Sequence, residues 1–308
     1  MLRKPPALRP GARIAIVAPA SPFARTEFDA GVSELRRLGF DPVYSEAVFA
    51  RDDYLAGSAE MRTRDLMQAW SDPSIGGIIA ARGGYGSMQL LPLLDAEVVR
   101  RRPKVFVGYS DNTSLLIWLM QAGGLVAFHG PMIEGRFARG ASGYDRESFL
   151  ACVTTPKPAG EIADAQLETL QSGSARGVLV GGTLTQLVAS LGTPYAFDPP
   201  DGCVLFIDEV AERPYRLDRM LTQLRLSGLL GRAAAIVFNS MPKCEEPGGT
   251  PTPKDAICKA LSGFPGPILY GLQSGHTDGP TLTLPFGVAV SVNAEDRPSF
   301  VIEEAAVE

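Results

Sequence analysis

The chain has 308 residues, 45% of them hydrophobic, and a formal net charge of −5 at pH 7. That length suits about two compact domains. The acidic balance excludes a partner held through its phosphate backbone, so no nucleic acid is expected, and no apolar stretch approaches the roughly 18 residues of a membrane span.

Residues 1–24, MLRKPPALRPGARIAIVAPASPFA, place basic residues before an apolar stretch, as an export signal does. The apolar part, residues 14–18, is too short for that role and is bounded by Arg13 and Pro19, so it reads as a first core strand. The cysteines Cys152, Cys203, Cys244 and Cys258 form no Cys-x-x-Cys pair. Their scatter suits a reducing cytoplasm and carries no metal signal.

In chain order, ARIAIVA (12–18) predicts a buried strand and EFDAGVSELRRLGF (27–40) an amphipathic helix ending at Gly39. DPVYS (41–45) is a short strand and SAEMRTRDLMQAWSD (58–72) a second helix. Next come the strand GGIIAA (76–81), a Gly-rich turn, SMQLLPLLD (87–95) and the strand KVFVGY (104–109). The helix TSLLIWLMQA (113–122) stops at Gly123-Gly124, and the strand LVAFHG (125–130) follows. This alternation predicts a doubly wound, mostly parallel α/β domain over residues 1–134. Ligands of such sheets bind beyond the carboxyl ends of the strands. Those ends carry residues 18–21, residues 82–86, Ser110 and His129.

Residues 135–173 lose the pattern and read as a linker with at most one short helix. Residues 174–308 then predict a second, mixed α/β domain. Its elements are GVLVGG, TLTQLVASLG, CVLFIDE, YRLDRMLTQLRLSGLL, AAAIVFN, DAICKALSG and PILYGL. Its tail, residues 281–304, holds three strand-like runs joined by Pro-Phe-Gly and Asn-Ala-Glu-Asp turns, expected to be antiparallel.

Covalent amide hydrolysis needs a nucleophile, a base, a group that orients the base and donors for the oxyanion. In VFVGYSDNTSLL (105–116), Ser110 ends a strand at a tight turn before a helix, where a hydroxyl stands beside free N–H groups. The same residues also suit an ordinary helix start, and G-Y-S-D-N does not complete a G-x-S-x-G elbow. The chain has two histidines. His129 sits among Phe128, Gly130 and Pro131, as a packed core residue does; His276, in LQSGHTDGP, suits a ring presented to a cleft. The orienting acid falls on the strand end of CVLFIDE. Glu209 is the expected residue; its neighbour Asp208 must point to the opposite face, and Arg213 and Arg216 offer a structural ion pair instead. Residues 82–86, Arg-Gly-Gly-Tyr-Gly, match no phosphate loop but can offer a backbone N–H to an oxyanion.

The set ARGGYG (81–86), VGYSDNT (107–113), HGPM (129–132), IDEVAERPYRLDRML (207–221) and SGHTDGP (274–280) resembles the LD-carboxypeptidases. These are serine peptidases whose family also holds the microcin C immunity peptidases. The resemblance spans nearly the whole chain. It implies a triad of Ser110, Glu209 and His276, with the serine on the first domain, and an oxyanion hole from the N–H groups of Asp111 and Gly84. It also implies a metal-free, cofactor-free cytoplasmic homodimer that removes the terminal D-alanine from murein tetrapeptides. Two rivals stand beside it: an immunity-type peptidase acting on aminoacyl-adenylate-like antibiotics, and a non-enzymatic two-domain protein that binds a small ligand. The loop after Asn239 is short and lacks tryptophan, which disfavours a nucleobase platform.

Overall fold

The computed structural model describes residues 2–162 and 166–308. The chain divides into two compact units: Met1–Pro158 with Gly279–Gly287 and Ala305–Glu308, and Ala159–Asp278 with Val288–Glu304.

The first unit opens with β1 (Arg13–Val17), α1 (Arg25–Arg37), β2 (Asp41–Val43), α2 (Ala59–Ser71) and β3 (Ile75–Ala80). It continues with α3 (Ala96–Arg101), β4 (Val105–Gly108), α4 (Thr113–Gln121), β5 (Ala127–His129) and α5 (Arg146–Thr154). α1 buries Phe28, Val32 and Leu35, one stripe at helical spacing. Every residue of β4 is buried, and so is residue 113–120 of α4, so the serine-bearing segment runs through the middle of the core. β2, β1, β3, β4 and β5 pair in that order, all parallel.

The second unit holds β6 (Gly160–Ile162), β7 (Glu168–Gln171), β8 (Ser174–Thr183), α6 (Leu184–Ser190) and β9 (Cys203–Asp208). It goes on through α7 (Pro214–Leu226), β10 (Ala233–Phe238), α8 (Pro253–Ala260) and β11 (Ile268–Tyr270). The chain then returns to the first unit for β12 (Leu284–Phe286), which pairs antiparallel with β5, before β13 (Ala289–Asn293) and β14 (Ser299–Ile302) rejoin the second. The second sheet has the order β6-β14-β13-β8-β9-β10-β11-β7. Its centre, β8 to β11, is parallel, and its outer pairings are antiparallel. A mixed α/β architecture with mostly parallel sheet centres is therefore as expected.

Two expectations about chain organisation need correction. The span 135–173 is not a linker. Asp145 caps α5 by accepting the Ser148 N–H at 2.7 Å, and Phe149, Cys152 and Val153 of that helix are buried. Phe137, Tyr144 and Phe149 pack ring on ring, with centroids 4.7–6.2 Å apart. The polar, Gly-rich composition that suggested a linker belongs to the turns of this lobe and to the edge strands β6 and β7; residues 163–165 of the span lie outside the described residues. The tail runs are antiparallel as expected, but only two stay in the second unit, because β12 covers the free edge of β5. Among the described residues, no helix is long and apolar enough to cross a membrane.

Candidate active site

In the first unit, the chain leaves β4 at Gly108, passes an extended Tyr109 and enters Ser110 at φ 62°. A residue with a Cβ is strained in that left-handed region. A short 3₁₀ turn, Ser110–Asn112, leads into α4. Ser110 caps neither segment: Tyr109 and Asn112 hold the N-cap positions. A Cβ on Gly108 would press on Asn112 Cβ at 3.1 Å.

The loop after β3 is tied to this turn. The Ser87 N–H donates to Asp111 Oδ2 at 2.7 Å, and the Ser87 hydroxyl donates to the Asp111 carbonyl at 2.6 Å. Burial pushes the Asp111 carboxyl upward, against the pull of these hydrogen bonds. Gly83 has its open face on Ser110: a Cβ there would lie 2.8 Å from Ser110 Cβ, 3.0 Å from its Oγ and 3.5 Å from the Asp111 nitrogen. Gly84, at φ 98°, faces elsewhere, and a Cβ on it would meet Ser21 Oγ at 2.4 Å. Buried Arg62 stitches the loops by donating to the carbonyls of Gly57, Pro19 and Gly86 at 2.6–2.9 Å. An arginine in the middle of a helical pattern carries no sequence signal for that task.

In the second unit, His276 lies in the loop after β11. Its Nδ1 is 2.8 Å from Asp208 Oδ2, and its backbone N–H donates to Asp208 Oδ1 at 2.9 Å. Asp208 is fully buried. Its Oδ2 also accepts from the Thr183 hydroxyl at 3.0 Å, and its Oδ1 from Asn239 Nδ2 at 2.6 Å. Gly275, at φ 75°, permits the approach, since a Cβ there would sit 2.5–2.7 Å from the Asp208 carboxylate.

The carboxylate on His276 is thus Asp208, where Glu209 was expected. Strand alternation turns the next side chain away. Glu209 Oε2 accepts the N–H and hydroxyl of Thr185 at 2.8 and 2.7 Å, and Oε1 accepts the Val210 N–H at 3.0 Å. Burial raises the Glu209 carboxyl pKa despite these donors. Arg213 and Arg216 pair with Glu246 and Glu212, not with either strand-end acid. His129 is fully buried in the first sheet, stacked on Phe286 at 5.3 Å and set edge-on to Tyr109 at 5.8 Å, as its apolar neighbours suggested.

Thr183 and Asn239 were missed in the sequence. Each ends or directly follows a buried parallel strand, as Asp208 does, and Thr183 is in register with Asp208. Three polar residues at the carboxyl ends of GVLVGGT, CVLFID and AAAIVFN are the available signal.

Residues 14–130 match the LD-carboxypeptidase N-terminal domain, and residues 176–292 match the LD-carboxypeptidase C-terminal domain. A Streptomyces coelicolor protein with a provisional carboxypeptidase name is 39% identical, over 97% of each chain. The murein tetrapeptide carboxypeptidase of Pseudomonas aeruginosa is 32% identical, over 86% of this chain and 88% of its own. The crystal structure of muramoyltetrapeptide carboxypeptidase from Oxalobacter formigenes superposes with a TM-score of 0.83 at 30% identity, over 95% of this chain and 99% of that one. The microcin C7 self-immunity protein MccF shares the fold, with a TM-score of 0.91 at 24% identity over 99% and 100% of the two chains.

With a serine held at a strand-to-helix turn on an α/β sheet, these likenesses define a serine peptidase. The chain belongs to the LD-carboxypeptidase family.

Proposed function

We propose that this protein removes the terminal D-alanine from murein tetrapeptides by acyl-enzyme chemistry, with Asp208 in the role expected of Glu209. His276 takes the Ser110 proton, and Ser110 Oγ attacks the carbonyl of the L-centre residue. Asp208 holds the Nδ1–H tautomer and stabilises the imidazolium that forms. The oxyanion is met by the Asp111 N–H and by the Gly83-Gly84 turn. The imidazolium then gives its proton to the departing D-alanine amine. Water, deprotonated by His276, releases the acyl group and restores the Ser110 hydroxyl.

One observation carries this function above the rest: Ser110 is held at φ 62° at the carboxyl end of a buried parallel strand. A helix start needs no such strain, whereas a projected nucleophile does. The named activity of the Pseudomonas aeruginosa relative supports the substrate class. A cytoplasmic homodimer belongs to the same proposal, and light scattering on the purified protein reads the assembly.

The test measures D-alanine release from lysine- and diaminopimelate-containing tetrapeptides, with Ser110→Ala alongside. Release that depends on Ser110 is expected. Undiminished release by Ser110→Ala refutes the mechanism. Turnover of an aminoacyl sulfamoyl adenosine, with none of either tetrapeptide, moves the protein to the immunity-type substrate class.

A further inference from the structure

Asn239 follows β10 and is fully buried. Its amide is used from both ends. Nδ2 donates to Asp208 Oδ1 at 2.6 Å and to the His276 carbonyl at 2.7 Å. Oδ1 accepts the Met241 N–H at 3.1 Å and the Glu209 N–H at 3.3 Å. This partner set also fixes the amide orientation, because a flip would aim an NH₂ at two N–H groups and an oxygen at a carboxylate. One side chain therefore grips both members of the Asp208–His276 pair, the acid by its carboxylate and the histidine by its backbone.

The surroundings store strain that this grip opposes. Ala211, Met241 and Lys243 adopt φ of 58°, 48° and 61° in the loops after β9 and β10. The two loops are joined directly by the Ala211 N–H to the Pro242 carbonyl at 3.1 Å. Non-glycine residues persist in this region only where their neighbours over-determine the backbone. Asn239 sits at that junction, so its Oδ1 half braces the loops and its Nδ2 half aims the pair.

We infer that Asn239 is a positioning residue for catalysis: its Nδ2 group sets the Asp208 carboxylate and the His276 backbone so that the imidazole is held in one tautomer and orientation. This inference rests on the proposed role of Asp208 and His276. It adds a residue that touches neither substrate nor reacting atoms.

Asn239→Asp separates the two halves. It keeps an oxygen for the Met241 and Glu209 N–H groups and sets a second carboxyl oxygen, in place of the Nδ2 donor, against Asp208 Oδ1. Both readouts are therefore taken at a pH high enough to ionise it and beside Asn239→Ala, which carries no charge. Expected is a fall in kcat of about 10–100-fold with KM within about threefold, as for other groups that orient a catalytic side chain. The far-downfield Nδ1–H proton resonance of His276 should be present in the wild type and lost in the variant. His276→Gln assigns that resonance, since the chain has only two histidines. Asn239→Ala serves for the same two readouts if the aspartate variant does not fold.

An unchanged kcat together with a retained Nδ1–H resonance in the folded variant overturns the inference and leaves the Asp208–His276 pair standing. If Asp208→Asn itself leaves both kcat and the resonance unchanged, the underlying role of the pair falls, and this inference with it.

Discussion

At the residue scale, two adjacent acids with opposite surroundings have separable effects. Asp208→Asn presents an NH₂ group where the carboxylate accepts from the Thr183 hydroxyl, Asn239 Nδ2 and the His276 backbone N–H, and it no longer favours the Nδ1–H tautomer of His276. A loss of about 10³–10⁴-fold in kcat is expected, by analogy with the same change in a Ser-His-Asp triad. Glu209→Gln leaves the His276 contacts intact, and kcat should stay within a few-fold of wild type in the same tetrapeptide assay. Stability then distinguishes Glu209 in its own way. Its folded carboxyl lies above its ordinary value of 4.5 because burial outweighs the Thr185 and Val210 hydrogen bonds. The folded state therefore binds this proton more tightly than the unfolded chain does. The stabilising contribution of Glu209 is complete below its unfolded value and is lost as pH rises through the raised folded value. Glutamine cannot titrate. The melting temperature of Glu209→Gln minus that of wild type should thus increase by calorimetry as the pH rises from 4.5 through the raised folded value; a flat or falling difference contradicts this.

At the element scale, the Ser110 turn depends on a neighbouring loop. Gly83 lies outside the left-handed region, so alanine there escapes that strain; its Cβ instead presses on Ser110 Cβ and Oγ at 2.8 and 3.0 Å. Gly83→Ala should lower kcat by about 10²-fold, the scale of a small misplacement of reacting groups. The expected cost in stability is only about 1–3 kcal/mol of overpacking. Denaturant unfolding set beside kinetics checks the split, and a variant with full kcat would show that the Ser110 turn relaxes without consequence. The crowding was not legible in the sequence. Arg-Gly-Gly-Tyr-Gly signalled a backbone able to approach closely, but which glycine faces Ser110 depends on how β3 and β4 lie side by side. The strand-to-helix serine, by contrast, was legible, because an apolar run ending in Gly-Tyr-Ser before a helical pattern is a local feature.

At the scale of the whole molecule, chain order and spatial order part company. The first sheet is finished by β12, some 150 residues after β5, and the last residues return to the N-terminal segment. There the Glu308 N–H donates to the Pro5 carbonyl at 3.0 Å, and the Ala7 N–H donates to the Glu308 carbonyl at 2.8 Å. A fragment cut at residue 134, where the composition shifts, lacks α5, the Tyr144–Phe149 packing and β12. It should show no cooperative thermal transition by circular dichroism, since Phe40 loses the Phe149 ring packed on it and the edge of β5 loses its cover. A two-state melt of that fragment would establish the compositional boundary as a true domain boundary.

The sequence by itself determined the local matters: alternating strands and helices, an α/β class, a serine at a strand-to-helix turn, a buried acidic strand end, and a histidine in a glycine-rich loop. Each is written in the spacing of apolar and turn residues over a dozen positions or fewer. Only the tertiary structure decided which of two neighbouring acids meets His276, that Asn239 grips both Asp208 and His276, and that a late strand closes the first sheet. Those are choices of register and facing between segments far apart in the chain. A side-chain period of two means that one step past the end of β9 exchanges Asp208 for Glu209.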